Sequence, residues 1–183
     1  MNMQKLAVAA FALALPFSFA AAAQQDAKCG YPRPAKAGEK ATGPNNTVFV
    51  AGKSAPRELV VIDTKVGTEG KETAAMTPIL VAYTGWLFDP CAPDNKGVEF
   101  DSSRGRATPF GFMLGVGKVI KGWDEGLVGM KKGGTRTLII PAEKAYGERS
   151  PTPKIPPNSA LLFEVELIQI VGADAPAAPP AKK

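Results

Sequence analysis

The stretch PFGFMLGVGKVIKGWDEGLVGM, residues 109–130, combines large apolar side chains with an unusual number of glycines. Within it, Val119, Trp123 and Leu127 recur every four residues. Residues at this spacing share one face of an α-helix, because the helix turns once every 3.6 residues. The pattern therefore predicts a short helix with an apolar stripe that faces the protein core.

The glycines of this predicted helix need a separate explanation. Each interior glycine costs a helix roughly 0.5–1 kcal/mol relative to alanine. We therefore expect Gly122 and Gly126 to let a neighbouring element approach the helix closely. On the opposite face, Lys121, Asp124 and Glu125 are expected to reach water.

The remainder of the central region has the composition of β-strands. The predicted strands lie in ELVVIDTKVG (58–67), ILVAYTGWLF (79–88), GGTRTLIIPA (133–142) and ALLFEVELIQI (160–170). In the last of these, four apolar residues alternate with polar positions that include Glu164 and Glu166. Alternation of this kind indicates a sheet with one buried and one wet face. The sequence therefore predicts an α+β domain in which one short helix packs across a curved sheet.

The amino-terminal 23 residues have the three parts of a secretory signal peptide. Lys5 precedes a largely apolar run from Leu6 to Phe19, and the small residues Ala20–Ala23 follow. The alternative is a membrane anchor, but that needs about 20 apolar residues. We therefore expect residues 1–23 to be removed as a signal peptide, so that no membrane anchor remains. The protein is then expected to be periplasmic or secreted.

Two further segments resemble linkers. Residues 24–57 and 172–183 are rich in Pro, Ala and Lys and lack the period of a helix or a strand. We therefore expect residues 24–57 to form a flexible arm and residues 172–183 a disordered tail. The folded domain is expected at residues 58–171. That domain carries 13 Lys and Arg against 14 Asp and Glu, although the whole chain has a net charge of +5. It is not a basic platform for nucleic acid. Binding of an acidic partner by the arm is an open alternative.

The cysteine and histidine counts limit the chemistry. An exported chain with two cysteines, Cys29 and Cys91, favours a disulfide between them, the alternative being two unrelated thiols. The chain has no histidine. A zinc site and catalytic triads that use histidine as a base are thereby disfavoured, and we expect neither a metal nor a cofactor.

Several long motifs resemble one known family. They are VAYTGWL (81–87), FDSSRGRATPFGFMLGVGKVIKGWDEGLVGMKKGGTRTLIIP (100–141), AYGER (145–149) and IPPNSALLFEVELIQI (155–170). In residue type, order and spacing they resemble the FK506-binding-protein family of peptidyl-prolyl cis-trans isomerases, over essentially all of residues 58–171. The resemblance implies an antiparallel five- to six-stranded half-barrel wrapped around one short helix, and catalysis of rotation about Xaa-Pro bonds.

The resemblance also implies the site. Trp123 matches the floor of a pocket under the substrate proline, and the backbone N–H of Ile120 matches a donor to the substrate carbonyl. The implied catalytic residues are Asp101, Tyr146, Tyr83, Trp123 and Ile120. The implied substrate-binding residues are Phe100, Arg106, Phe110, Val119, Ile155 and Phe163, with Arg106 pairing with Asp101 and Ile155 on a loop that overhangs the mouth.

Two loops depart from the family pattern. The segment TGWLFDPCAPDNKGVE (84–99) is longer than usual and contains Cys91, so a disulfide would join it to the arm. The overhanging loop carries Pro151 and Lys154, which leaves substrate preference and macrolide affinity open. The expected partners are proline-containing exported polypeptides and FK506- or rapamycin-like macrolides, and a monomer is expected. Alternatives are a non-catalytic module that binds proline-containing segments and a surface interaction protein that uses the arm.

Overall fold

The computed structural model describes residues 29–41, 43, 47–52 and 54–172, so the predicted signal peptide and nearly all of the predicted tail lie outside the described residues. The elements are β1 (Gly30–Pro34), β2 (Thr47–Ala51), β3 (Val60–Lys65), β4 (Pro78–Phe88), β5 (Lys96–Ser102), β6 (Phe110–Met113), α1 (Lys121–Gly126), β7 (Thr135–Ile140) and β8 (Leu161–Ile170). Within the described ranges, no helix is long and apolar enough to span a bilayer.

Six strands form the main sheet, and all of its strand pairs are antiparallel. The strand order is β3-β7-β8-β4-β5, and β6 pairs with the first part of β4. The register of β4 against β8 runs from Ile79 opposite Ile170 to Leu87 opposite Leu161. The predicted antiparallel sheet of five to six strands around one short helix is confirmed.

The inner face of this sheet forms the main hydrophobic core. The alternation predicted for β8 is confirmed, because Leu161, Phe163, Val165 and Leu167 are at most 4% exposed, whereas Glu164 and Glu166 are only partly buried. The helix α1 adds Trp123 to the same cluster. The sheet and the helix therefore share one dry interface, as the apolar patterns predicted.

The two helix glycines explain how closely α1 packs on β7. A methyl group on Gly122 would lie 2.4 Å from Cγ2 of Ile140, and one on Gly126 would lie 2.8 Å from Cδ2 of Leu138. Real Cβ atoms essentially never approach a neighbour this closely. The expectation that these glycines allow a close approach is confirmed.

The predicted extent of the helix needs a correction. Val119 lies before α1, and Ile120, with φ −60° and ψ 148°, is the extended residue at its N-cap. Asp124 was expected to face water, but its carboxylate accepts the backbone N–H groups of Gly115 and Gly117, each at 2.8 Å. Both glycines have positive φ, which points their N–H groups into a turn that a helical continuation would not form.

Part of the predicted flexible arm is also ordered. The strands β1 and β2 pair antiparallel, from Gly30 opposite Ala51 to Pro34 opposite Thr47. The predicted disulfide between Cys29 and Cys91 is present. Next to it, the backbone N–H of Gly30 donates to the carbonyl oxygen of Pro90 at 2.8 Å. Anchoring to a distant loop thus stabilises β1, whose own sequence, with two prolines in five residues, does not favour a strand.

This hairpin changes the outer face of the sheet, which was expected to be wet. A second hydrophobic cluster of Val60, Ile62, Ile139 and Leu162 lies there, with Tyr31, Trp86 and Phe88 packed against it. The ring of Tyr31 in β1 meets that of Phe88 edge to face, with centroids 6.0 Å apart. β1 therefore covers part of the outer face with the ring of Tyr31.

Candidate functional site

A cavity of about 200 Å³ lies between the first turn of α1 and the inner face of the sheet. It draws side chains from β4, β5, β6 and β8 as well as from the loops before α1 and after β7. Its lining residues are Tyr83, Phe100, Asp101, Phe110, Lys118, Val119, Ile120, Trp123, Tyr146 and Phe163. The cavity is thus mainly aromatic, with polar groups at a few positions, which is the composition of a small-molecule or peptide site.

Trp123 forms the floor of this cavity and is only 4% exposed. Its ring meets Tyr83 and Phe163 edge to face, with centroids 5.0 and 5.2 Å away. Phe112 and Phe110 follow at 5.6 and 6.1 Å. Five aromatic rings therefore brace one another, so the floor is rigid and belongs both to the core and to the cavity.

The indole N–H of Trp123 is buried and donates no hydrogen bond to the described residues. Leaving a donor unpaired in this way costs about 1–3 kcal/mol. The perpendicular rings around it offer only weak N–H···π contacts. The floor therefore contributes shape and apolar surface rather than hydrogen bonds to the described residues.

Asp101 is the fixed polar group at the rim. Its Oδ2 accepts a hydrogen bond from the hydroxyl of Tyr83 at 2.5 Å. Its Oδ1 accepts two more, from Nη2 of Arg106 at 2.5 Å and from the backbone N–H of Ser102 at 2.9 Å. The pairing of Arg106 with Asp101 is as the resemblance implied. Three donors hold the carboxylate, whose side chain is still 41% exposed and so remains open to the solvent side of the cavity.

Two tyrosine hydroxyls at the cavity remain protonated at neutral pH. Burial, with a further contribution from the hydrogen bond to Asp101, raises the pKa of Tyr83 to about 12. Burial and then the charge of Asp101 also raise the pKa of Tyr146. Because burial disfavours the charged phenolate, both groups are available as neutral hydrogen-bonding partners.

Most of the predicted site residues come together at this cavity. The nine that line it are Tyr83, Phe100, Asp101, Phe110, Val119, Ile120, Trp123, Tyr146 and Phe163. Arg106 is not among the lining residues and contacts the site through Asp101. Ile155 also does not line the cavity; it is 3% exposed and packs in the main core, where its apolar side chain is removed from water.

The sequence reasoning missed one lining residue, Lys118. It lies directly before Val119 and Ile120, both of which were assigned to the pocket, so its position along the chain was the available signal. An isolated lysine in a glycine-rich loop is more often only a solvated charge. The structure adds this exposed cation to an otherwise mainly aromatic cavity.

Comparisons with known proteins agree with this geometry. An "FK506-binding protein" of Neisseria meningitidis serogroup A is 48% identical over 112 residues, which cover 61% of this chain and 95% of that protein. The human "Peptidyl-prolyl cis-trans isomerase FKBP2" is 54% identical over 88 residues, covering 48% of this chain and 57% of that protein.

A solved structure and a family profile point the same way. The crystal structure of AtFKBP13 matches with a TM-score of 0.53 and 40% identity, covering 64% of this chain and 97% of that one. The profile described as FKBP-type peptidyl-prolyl cis-trans isomerase matches residues 70–168, which is more than half of the chain. With the half-barrel, the aromatic cavity and this match together, the chain belongs to the FKBP-type peptidyl-prolyl cis-trans isomerase family.

Proposed function

We propose that this protein is a peptidyl-prolyl cis-trans isomerase that accelerates the folding of exported polypeptides by rotating their Xaa-Pro bonds. The observation that carries the proposal is the aromatic cavity floored by Trp123, with the carboxylate of Asp101 fixed at its rim. Such a cavity fits a proline ring, which is small, apolar and without an N–H group.

The reaction needs an environment rather than a reactive group. Rotation about the peptide bond faces a barrier of about 18–20 kcal/mol, and an Xaa-Pro bond takes tens to hundreds of seconds to isomerise unaided. In the twisted transition state the nitrogen loses conjugation with the carbonyl. A cavity that excludes water removes solvent that stabilises the planar form, and fixed polar groups hold the carbonyl as it turns. Lowering the barrier by about 5–7 kcal/mol would accelerate rotation roughly 10⁴- to 10⁵-fold.

We assign the roles as follows. Trp123 supports the proline ring, and Tyr83, Phe110 and Phe163 enclose it. The backbone N–H of Ile120, the extended residue before α1, donates to a substrate carbonyl. Asp101 and Tyr146 provide polar contacts at the rim, with Arg106 and the Tyr83 hydroxyl holding Asp101 in place. Val119 and Phe100 complete the apolar lining.

The exported location forms part of the proposal. Residues 1–23 have the pattern of a signal peptide, and a disulfide between Cys29 and Cys91 persists best in an oxidising compartment such as the periplasm. We propose that residues 58–171 carry the activity in a monomer and that proline-containing exported polypeptides are the substrates. Since relatives bear the name FK506-binding protein, we also propose that FK506-like macrolides occupy the same cavity.

The test is the rate of cis-to-trans isomerisation of a short Leu-Pro peptide, measured with and without the purified protein. We expect a large acceleration that an FK506-like macrolide suppresses, because the macrolide and the proline compete for the floor. Peptide binding without acceleration by a folded sample would instead support a non-catalytic module that binds proline-containing segments.

A further inference from the structure

Lys118 lacks a counter-charge among the residues that the structure describes. It lies exposed in the loop between β6 and α1 and lines the aromatic cavity. No carboxylate of the described residues forms a salt bridge with it. The lysines nearby differ: Lys121 lies 3.8 Å from Oε1 of Glu125, and Lys144 donates to Oε2 of the same residue.

The remaining charges at the cavity cancel one another. The carboxylate of Asp101 is paired with the guanidinium of Arg106, Nη2 to Oδ1 at 2.5 Å. Tyr83 and Tyr146 are neutral phenols at neutral pH, since the pKa of each is raised. Among the described residues that line the cavity, Lys118 therefore carries the one charge that no ion pair offsets.

The backbone that carries Lys118 is held in place. The carboxylate of Asp124 in α1 accepts the N–H groups of Gly115 and Gly117, directly before Lys118. Ile120, whose N–H is assigned to a substrate carbonyl, follows two residues later. An extended substrate advances at most about 3.6 Å per residue, and a lysine side chain spans a similar distance or more. The ammonium group is thus within reach of substrate residues adjacent to the bound proline.

We infer that Lys118 is a specificity-determining residue that favours proline-containing segments with Asp or Glu within two residues of the proline. The inference rests on the proposed function, because it assumes that the proline occupies the aromatic cavity. It names a class of substrate for that cavity, acidic proline-containing segments. Since Lys118 is exposed, we expect about a two- to fivefold effect on kcat/KM, the size that an exposed ion pair produces, and we expect salt to weaken it.

The experiment uses two series of three peptides each. Within a series, the peptides differ only in one residue, which is Glu, Gln or Lys. This residue directly precedes the proline in the first series and directly follows it in the second. The measured quantity is the ratio of kcat/KM for the Glu peptide to that for the Gln peptide. We expect a ratio above one in at least one series for the unaltered protein, near one for Lys118→Met and below one for Lys118→Glu. Lys121→Met removes a neighbouring positive charge that does not line the cavity, and should leave the ratio unchanged.

The inference is overturned if the ratio is the same in the unaltered protein and in Lys118→Glu, or if Lys121→Met changes it as much as Lys118→Met. Failure of the proposed function gives a different result, namely no acceleration of the Gln peptide by any variant. In that case the same ratio is taken from peptide dissociation constants measured by tryptophan fluorescence. A preference for the Glu peptide that disappears in Lys118→Met would still support the role of Lys118.

Discussion

Gly122 of α1 packs so closely on Ile140 of β7 that a methyl group added to it would lie 2.4 Å from Ile140 Cγ2. The contact places the first turn of α1 directly on the sheet, and Trp123, the next residue, becomes the cavity floor. Glycine at this position lowers the stability of the helix, but it lets the helix lie where Trp123 can form the cavity floor.

We therefore predict that Gly122→Ala destabilises the protein by about 1–3 kcal/mol, the usual cost of overpacking a core. Helix propensity alone predicts the opposite sign, since alanine stabilises a helix interior by roughly 0.5–1 kcal/mol relative to glycine. Denaturant unfolding of the unaltered protein and of Gly122→Ala shows which of the two expected changes in the free energy of unfolding occurs. An unchanged or increased free energy of unfolding would show that the helix can shift away from β7 without cost.

A double-mutant cycle identifies the cause of this loss. Ile140→Ala removes the atoms that the new methyl group would meet, although it leaves a cavity of its own. We expect Gly122→Ala to lower the free energy of unfolding less in that background than in the unaltered protein. The effects of substitutions at two residues in contact are not additive. Equal costs in both backgrounds would place the strain elsewhere.

The carboxylate of Asp101 is expected to support turnover more than folding stability. Asp101→Ala removes the acceptor of the Tyr83 hydroxyl and of the Arg106 guanidinium, so the polar rim loses its fixed geometry. We expect kcat/KM for a Leu-Pro peptide to fall by about tenfold or more, equivalent to about 1.4 kcal/mol of transition-state stabilisation. Because the side chain is partly exposed, the melting temperature should change little.

Glu99→Ala is a matched control for this variant. Glu99 lies on the same strand, is exposed and does not line the cavity. Its removal should leave both turnover and melting unchanged. Full activity of Asp101→Ala would contradict the role assigned to the carboxylate.

The parts of this fold that could be predicted from the sequence are those with local patterns. The alternation in β8 follows from the period of two of a strand, and the stripe of Trp123 and Leu127 follows from the helix period. Motif resemblance then supplied the cavity, because nine of the residues it implied do line one surface. Periodicity alone would have assigned Trp123 to the core and missed its second role.

The parts that could not be predicted depend on distant contacts. The strand β1 contains Pro32 and Pro34, and it forms because Cys29 is bonded to Cys91 and because Tyr31 packs on Phe88. No pattern within residues 29–52 reveals those partners. A similar limit applies to Ile155, whose burial depends on how its loop packs on the core.

The disulfide leads to a prediction about stability without an effect on the site. The bridge joins residues 62 positions apart, and closing a loop of this size restricts the unfolded chain by about 4 kcal/mol. Reductant should therefore lower the melting temperature. Neither cysteine lines the cavity, so isomerisation should persist below the lowered melting point.

The double variant Cys29→Ser/Cys91→Ser is the control for this experiment. Its melting temperature should match that of the reduced protein and should not respond to reductant. If the unaltered protein melts at the same temperature with its thiols reduced as with them bonded, the bridge does not stabilise the fold.

Tyr83 provides a prediction about pH. Burial first, and then its hydrogen bond to Asp101, raises its pKa from an ordinary 10 to about 12. The folded protein therefore holds this proton more tightly than the unfolded chain does, so the stabilisation is complete below pH 10 and declines as the pH rises towards 12. We expect phenolate absorbance to include the ionisation of Tyr83 near pH 12, and Tyr83→Phe to remove that contribution and weaken the alkaline loss of stability. Because burial is the larger cause, Asp101→Asn should lower the midpoint only partly; a complete return to about 10 would instead assign the shift to the carboxylate.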